Sequence, residues 1–288
     1  MSALSIGFAG SSYRFGGLSP AQDALVRARF RALVLRDETQ PDVQIDIHHV
    51  PNPRAFMGRP RGPTEYRVAL SHRDDALSMA GIGFTANVDR SPLRAQMQTC
   101  LTDEGFLGAL ENLFRVVATY RLFEEGGLVM HSAAFTDAGR GFLFCGRSGA
   151  GKTSLCELAS ELELPILSDE LNAVVLAGGS YAIVAMPFAG DFGGTPAPHP
   201  PYPLVGLLGL AHGDSPSIGC CSKAEAVSRI VASCPYVNAD PKLVDELTSR
   251  ATCLVAAAPL RILTFAKSTT FWSVLDHEYR STDATISA

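Results

Sequence analysis

The sequence predicts an α/β fold, α+β overall, with a smaller α+β region over residues 1–125 and a region with a mixed sheet over residues 126–288. Three observations lead to this prediction. Alternating apolar and polar residues in the first region indicate half-buried strands. Strand and helix patterns alternate along the second region, as they do in layered α/β structures. A long amphipathic segment, Phe106–Glu125, predicts a helix at the boundary.

The first region contains two predicted strands, one predicted helix and a loop. Apolar and polar residues alternate over Val43–Ile47 and over Tyr66–Leu70, which is typical of strands with one buried face. The start signal Ser19-Pro20 and apolar residues at helical spacing predict a helix over Pro20–Arg36. Between the strands, Pro51–Pro63 is rich in proline, glycine and arginine and predicts a loop. This region carries no recognisable chemical motif.

The second region opens with a hairpin pattern after the boundary helix, which is closed by Gly126-Gly127. Val129-Met130 and Phe142–Phe144 are predicted as neighbouring strands, joined by a turn over residues 137–141. The remaining predicted elements are strands over Pro165–Leu167, Asn172–Leu176 and Arg261–Phe265, helices over Lys223–Ser233, Asp240–Ala251 and Phe271–Leu275, and a frayed tail over Ser281–Ala288.

A complete phosphate-binding motif lies between a predicted strand and a predicted helix. The apolar run Phe142–Cys145 is followed by G-x-x-x-x-G-K-[ST] and then by a helical pattern over Thr153–Glu163. Backbone N–H groups of such a loop, and of the helix N-terminus after it, cradle phosphate oxygens. Lys152 would reach the β- and γ-phosphates, and the Thr153 hydroxyl would ligate Mg²⁺. The sequence therefore predicts a nucleotide site formed by Gly146, Arg147, Ser148, Gly149, Ala150, Gly151, Lys152, Thr153 and Ser154.

An acidic pair, Asp169-Glu170, follows Lys152 by 17 and 18 residues, at the end of a predicted strand. If that strand neighbours the loop strand, its carboxyl end meets the phosphate site. One carboxylate would then hold Mg²⁺ through water while the other accepts a hydroxyl proton. Since successive residues on an extended strand point to opposite faces, both can act only if the chain turns there. The alternative is an ordinary polar strand end or helix cap.

Three more residues have two readings each. His131 lies in a predicted strand and is either a satisfied core histidine or a group beside the phosphates. Arg147 either contacts a phosphate or faces solvent. Asp191 is either a third metal or substrate ligand or a surface residue before a turn. It begins the proline- and glycine-rich stretch Gly190–Pro203, which we expect to be a mobile segment of the kind that forms lids.

Composition excludes several classes of function. A net charge of −5 without a basic stripe argues against a general nucleic-acid binder. The sequence lacks the run of about 18 apolar residues needed to cross a membrane, and its start lacks the features of a signal peptide. Its seven cysteines include no C-x-x-C pair, so we expect a protein of the reducing cytoplasm. The sequence contains neither G-x-S-x-G nor H-E-x-x-H, so neither a hydrolytic triad nor a zincin is indicated.

Three segments together resemble a known family: Leu128–Ser132 with His131, the phosphate-binding motif, and Leu167–Glu170. They are similar to the C-terminal catalytic domain of HPr serine kinase/phosphorylase, which is related to phosphoenolpyruvate carboxykinase. The similarity covers roughly Gly127 to Asp191, with a weaker likeness near Phe271-Trp272. It implies an HPr-kinase-like catalytic fold with His131 beside the phosphates, Lys152 and Thr153 on nucleotide and Mg²⁺, Asp169 as acid/base, and Asp191 on metal or substrate.

Two departures from the family narrow what the resemblance implies. Glu170 stands where the family has a second Asp, which moves one carboxylate of the metal site. The first region does not resemble the N-terminal domain of the bifunctional enzymes, which argues against phosphorylase activity and against HPr as substrate. The segment over residues 120–128 resembles HPr-kinase-like proteins encoded beside modified-peptide pathways, including lasso-peptide kinases.

We therefore expect a Mg-ATP-dependent kinase acting on a hydroxyl, foremost a serine of a peptide or small protein. The catalytic residues would be Asp169, His131 and Lys152, the metal ligands Thr153, Glu170 and Asp191, and the first region would help present the substrate. We expect neither nucleic acid nor membrane as partner, and a homo-oligomer is compatible with the sequence. The alternatives are a small-molecule kinase or carboxykinase-like enzyme, and a non-catalytic ATP-binding regulator.

Overall fold

The computed structural model describes residues 2–36, 40–56, 68–188, 190, 192 and 200–283. The chain divides into two compact units, one up to Glu124 and one beginning at Glu125. Each has its own sheet with both parallel and antiparallel pairs, and the described residues contain six α-helices. The predicted mixed α/β class is confirmed at this level. Along the described ranges, every helix is too short or too polar to cross a membrane.

The first unit is a seven-stranded sheet with two helices. Two strands were predicted here, whereas seven are observed. The alternation that was overlooked is clearest in the last strand in chain order, where buried and exposed residues alternate without interruption. In the order β1-β2-β3-β7-β6-β5-β4, the β2–β3 and β3–β7 pairs are parallel. The elements are β1 (Ser2–Phe8), β2 (Ser11–Leu18), α1 (Pro20–Arg29), β3 (Val43–His49), β4 (Ala69–Arg73), β5 (Ala76–Gly81), β6 (Phe84–Arg90), β7 (Leu93–Thr99) and α2 (Glu104–Glu124).

Helix α1 begins where it was predicted but ends seven residues early, at Arg29 rather than Arg36. Its start is a capping box, because Ser19 and Gln22 exchange side-chain-to-backbone hydrogen bonds. Its end is set by the sheet. Val34 bridges Ile6 of β1, and the Leu35 N–H donates to the Ser5 carbonyl at 2.9 Å. Val34 and Leu35 therefore pair with the edge strand β1, and their backbone groups are not available to extend α1.

Helix α2 matches its predicted span to within two residues and organises the core of the first unit. Phe114, fully buried, contacts the rings of Tyr13, Phe15 and Phe30 edge-on at centroid distances of 5.0, 5.4 and 5.7 Å. Such pairs add to the free energy gained by burying the rings. The predicted loop Pro51–Pro63 contains a 3₁₀ turn at Pro53–Ala55, and its residues from 57 onward lie outside the described ranges, as do Tyr66 and Arg67.

The second unit is an eight-stranded sheet with four helices among its described residues. Its path is β10-β8-β11-β12-β13-β15-β14, and β9 pairs with both β8 and β13. The elements are β8 (Leu128–Asp137), β9 (Arg140–Cys145), α3 (Lys152–Glu161), β10 (Ile166–Ser168), β11 (Leu171–Ala177), β12 (Ser180–Ala185), β13 (Tyr202–His212), β14 (Ser217–Cys220), α4 (Lys223–Ser233), α5 (Val244–Ala257), β15 (Arg261–Phe265) and α6 (Phe271–Asp283).

The expectation that the strand before Asp169 neighbours the loop strand is wrong. That strand, β10, pairs with β8, which lies between β10 and the loop strand β9. Both pairs are antiparallel, so β9 and β10 run in the same direction and their carboxyl ends reach the same edge of the sheet. The predicted convergence of Asp169 on the phosphate-binding motif is thus achieved through an intervening strand.

Helices α3, α5 and α6 each differ from prediction in at least one boundary, and α5 ends at Ala257 rather than Ala251. Helix α3 ends two residues early, because Glu163 adopts a left-handed φ of 58°. Helix α5 starts at Val244 rather than Asp240, since the Asp240 carboxylate accepts the Lys242 N–H at 3.1 Å and caps a turn instead. Helix α6 continues to Asp283 rather than ending at Leu275, because Tyr279 extends its apolar face onto Phe142, with ring centroids 5.7 Å apart.

Candidate phosphate-binding site

The phosphate loop, residues 146–153, connects β9 to the first turn of α3. Its shape depends on Gly149 and Gly151, which have φ values of 79° and 94°. Gly151 is the N-cap of α3, and because glycine has no side chain it offers no acceptor to the first N–H groups of the helix. Those N–H groups, with the positive end of the helix dipole, are available to an anion.

Lys152 is buried inside this loop, with 7% of its surface exposed. Its Nζ donates to the carbonyl oxygens of Gly146 at 3.0 Å and Arg147 at 3.3 Å. Burial lowers the pKa of the Lys152 ammonium, while the nearby Cys145 and Asp169 act to raise it. The positive charge of Lys152 is therefore only partly balanced, since its hydrogen-bond acceptors are neutral carbonyls.

A hydrogen bond from Thr153 holds Asp169 against the loop. The Thr153 Oγ1 donates to Asp169 Oδ2 at 2.9 Å, and Asp169 is only 5% exposed. The other carboxylate oxygen, Oδ1, is buried and has no hydrogen-bond partner among the described residues. A buried carboxylate oxygen of this kind is an acceptor to which a proton donor or a cation can bind.

The chain turns at the acidic pair, as the joint action of both carboxylates requires. The Ser168 Oγ accepts the N–H groups of Glu170 at 3.1 Å and Leu171 at 3.3 Å, which fixes the bend between β10 and β11. The Glu170 carbonyl accepts the Ser132 N–H at 3.0 Å. Glu170 is half-buried beside Asp169, and the two residues do not share one extended strand.

His131 lies half-buried in β8, paired with Leu171 of β11. Burial lowers the pKa of His131 below its ordinary value of 6.5, the positive charge of Lys152 lowers it further, and Asp169 acts in the opposite direction. A neutral imidazole is therefore favoured at neutral pH. The structure brings His131, Lys152, Thr153 and Asp169 within electrostatic reach of one another.

Other predicted site residues are placed differently. Arg147, Ser148 and Gly149 form the exposed crest of the loop, while Gly146, Ala150, Gly151 and Ser154 are half-buried. Asp191 lies outside the described residues, as does most of the predicted lid over residues 190–203; its last residues begin strand β13. Within the described part of the chain, His, Cys, Asp and Glu side chains form no group of three or more that could hold a metal ion.

A buried polar network beneath the acidic turn was not predicted. Asn172, fully buried, donates through Nδ2 to the Ser132 carbonyl at 2.9 Å, the Ser132 Oγ at 3.2 Å and the Ser168 carbonyl at 3.4 Å. These bonds tie β11 to β8 and to the end of β10. An Asn within the apolar run Leu171–Leu176 was the available signal, because buried amides need partners.

Two further residues near the site were missed. His212 Nε2 lies 3.2 Å from the Gly149 carbonyl oxygen, although no spacing in the sequence suggested a role for His212. Gly190 lies so close to the acidic turn that an added Cβ would be 1.9 Å from Asp169 Oδ1 and 3.1 Å from the Glu170 Cβ. In the sequence, a glycine beside Asp191 was only a weak indication of this contact.

A scan against protein-family models finds no match to this chain, and a search of curated proteins finds no significantly similar sequence. The resemblance to the HPr kinase family therefore remains an expectation from three short segments of the sequence.

We expect Gly190→Ala to lower the free energy of unfolding by about 1–3 kcal/mol, because the new methyl group overlaps the Asp169 carboxylate. Urea unfolding would measure the change. Gly219→Ala is the matched control in the same unit, since a Cβ there meets no atom within 4 Å. Equal stability of the two variants would show that Gly190 does not constrain Asp169.

A second prediction concerns pH. Because the folded-state pKa of His131 is lowered below 6.5, the unfolded chain takes up this proton first as the pH falls. The stability that neutral His131 contributes is fully present above the unfolded-state pKa of 6.5 and is lost as the pH falls below it. From about pH 8 to about pH 5.5, the unfolding temperature of the wild type should fall further than that of His131→Gln. Parallel curves for the two proteins would contradict a neutral, buried His131.

Proposed function

We propose that this chain is a Mg-ATP-dependent kinase with an HPr-kinase-like catalytic unit, which transfers the γ-phosphoryl group of ATP to a hydroxyl, foremost a serine of a peptide or small protein in the cytoplasm. The observation that carries the proposal is the 2.9 Å bond from Thr153 Oγ1 to Asp169 Oδ2. It puts a buried carboxylate at the first turn of the helix that follows a phosphate loop, and it leaves the second carboxylate oxygen without a partner among the described residues.

Phosphoryl transfer requires held phosphates, neutralised charge and a group that takes the proton of the nucleophile. The loop amides and Lys152 serve the first requirement and part of the second. Asp169 Oδ1 serves the third. In the transfer, the acceptor oxygen forms a bond to the γ-phosphorus, the bond from that phosphorus to the β–γ bridging oxygen breaks, ADP leaves, and the hydroxyl proton goes to Asp169.

The residues present fit a magnesium ion. Mg²⁺ prefers oxygen donors, keeps several waters, and is bound through one or two carboxylates together with substrate phosphates. The Thr153 hydroxyl and the Asp169 turn supply such donors, and Glu170 and Asp191 are the further proposed ligands. When bound, the ion would offset negative charge on the phosphates.

His131 has a separate part in this proposal. A neutral imidazole beside Lys152 adds no second positive charge to repel it, and one ring N–H can donate to an oxygen of the transferred group. The proposed acceptor is a peptide or small protein rather than HPr, because the first unit has no likeness to the N-terminal domain of the bifunctional enzymes. We assign presentation of that acceptor to the first unit.

Asp169→Asn tests the acid/base role. Asparagine keeps an oxygen that can accept from Thr153, but it cannot take up the hydroxyl proton. We expect the turnover number at saturating Mg-ATP to fall at least about a hundredfold, and separate measurement of the Kd for Mg-ATP distinguishes this loss from any change in binding. The assay is transfer of label from γ-labelled ATP to a library of serine-containing peptides, with calorimetry for binding.

The matched control for this test is Glu157→Gln, an exposed carboxylate on the same helix α3, which should leave both quantities unchanged. Full activity of Asp169→Asn would refute the assigned role. If the wild type binds Mg-ATP but labels neither peptide nor small-molecule hydroxyls, the chain is an ATP-binding regulator instead. Labelling of small molecules alone would make it a small-molecule kinase.

Lys152→Met tests the phosphate contact. We expect the Kd for ATP to rise at least about tenfold, because a charge-assisted bond to phosphate is lost. The unliganded variant should be no less stable than the wild type, since the substitution removes a cation that burial disfavours. Calorimetry and urea unfolding give the two values, and Lys223→Met, at an exposed position of α4, is the control. Unchanged ATP affinity would contradict the proposal.

A further inference from the structure

A cavity of about 300 Å³ lies directly beside the phosphate loop within the second unit. Three chain segments line it: Gly151 and Ser154 at the start of α3, residues 212–214 at the end of β13, and residues 265–267 at the end of β15. Its volume is at the lower end of the range of about 300–1,000 Å³ for small-molecule pockets. Neither His212 nor Lys267 has a part in the transfer chemistry described above.

The sheet places this cavity on the opposite side of the loop from the reacting groups. Strands β9, β13 and β15 are neighbours and parallel, so their carboxyl ends meet at one edge. The loop follows β9, and the cavity lies beyond β13 and β15. His131 and Asp169 come from β8 and from the end of β10, on the other flank of β9. Ligands of open α/β sheets bind at this kind of edge.

The loop and the cavity wall are in contact. A Cβ added to Gly151 would lie 3.0 Å from Phe265 Cζ and 3.4 Å from His212 Cε1, so residue 151 must be small for the two to meet. His212 Nε2 lies 3.2 Å from the carbonyl oxygen of Gly149. The cavity is therefore within reach of a molecule whose phosphates occupy the loop.

The lining matches a flat heterocycle with apolar faces and polar edges. Phe265, which is 3% exposed, and Ala266 supply apolar surface. The His212 ring lies 6.2 Å from the Phe265 ring, with an interplanar angle of 31°. At the rim, the exposed Asp214 carboxylate can accept from an amino group, and the exposed Lys267 ammonium can donate to a ring nitrogen or carbonyl.

We propose that this cavity holds the purine base of the nucleotide whose phosphates lie on the loop, so that the base is at the β13–β15 side and the reacting phosphoryl group at the β8–β10 side. This inference depends on the proposed nucleotide-binding function and adds to it the orientation of the ligand. Base contacts of this kind contribute roughly a tenfold gain in affinity or more.

The test compares binding of Mg-ATP with binding of magnesium tripolyphosphate, which has the phosphates without a base. Calorimetry should give a Kd for ATP at least about tenfold below that for tripolyphosphate. Ala266→Phe fills the cavity and should raise the Kd for ATP about tenfold without changing that for tripolyphosphate. Ala224→Phe is the matched control, because Ala224 lines a different cavity, between α4 and α5, and neither Kd should change.

Rim variants provide a test that does not alter the core, since both positions are exposed. Lys267→Ala and Asp214→Asn should each change the ratio of ATP to GTP affinity at least about threefold. If the wild type binds neither tripolyphosphate nor ATP, the proposed function itself fails. If it binds both equally, or if Ala266→Phe and both rim variants leave nucleotide affinity and preference unchanged, the phosphate site stands and the base assignment is overturned.

Discussion

The hydrogen bond between Thr153 and Asp169 is the contact on which the rest of the site depends. It joins the first turn of α3 to the bend between β10 and β11, two pieces of chain that no strand pairing brings together directly. A lone bond between a hydroxyl and a carboxylate is modest in free energy. Its geometry is held by what lies beneath it, because Asn172 and the Ser168 hydroxyl fix the bend through five hydrogen bonds to fully or largely buried groups. The carboxylate is thus positioned by the sheet.

Strand β8 makes this arrangement possible. It pairs antiparallel with β9, β10 and β11, so the loop, the acidic bend and His131 all come from β8 or from its immediate neighbours. Because β9 and β10 flank β8 and run in the same direction, the crossover that joins them over residues 146–165, which contains the loop and α3, begins at the edge of the sheet where β10 ends. Phe135 of β8 anchors the strand below the site, with its ring 4.9 Å from that of Phe144 in β9.

The local parts of the site could be predicted from the sequence. The pairing of strands that are far apart in the chain could not. The phosphate loop was recognisable because motif, preceding apolar strand and following helix agree at adjacent positions. Helix α4 was predicted over its full span, with Ser222 capping its start through a bond to the Glu225 N–H. The placement of β8 between β9 and β10 depends on register between segments some 30 residues apart, and three-residue β10 offers almost no pattern to read. The end of α1 was missed for a similar reason, because an edge strand decides it.

The charges of Lys152 and Asp169 would act on a bound phosphate group in opposite directions. Lys152 is a buried cation with neutral acceptors, and Asp169 is a buried carboxylate with one oxygen that has no partner among the described residues. The lowered pKa of His131 favours its neutral form, so the charges of the three side chains nearly cancel. Phosphate oxygens near Lys152 would replace its carbonyl acceptors with charged ones, which is favourable, but they would also approach the Asp169 carboxylate, which repels them. In a setting with little water, that repulsion is large unless a divalent cation lies between the two groups. On the proposed function, the same geometry that brings the carboxylate to the loop would therefore make phosphate binding depend on a divalent cation.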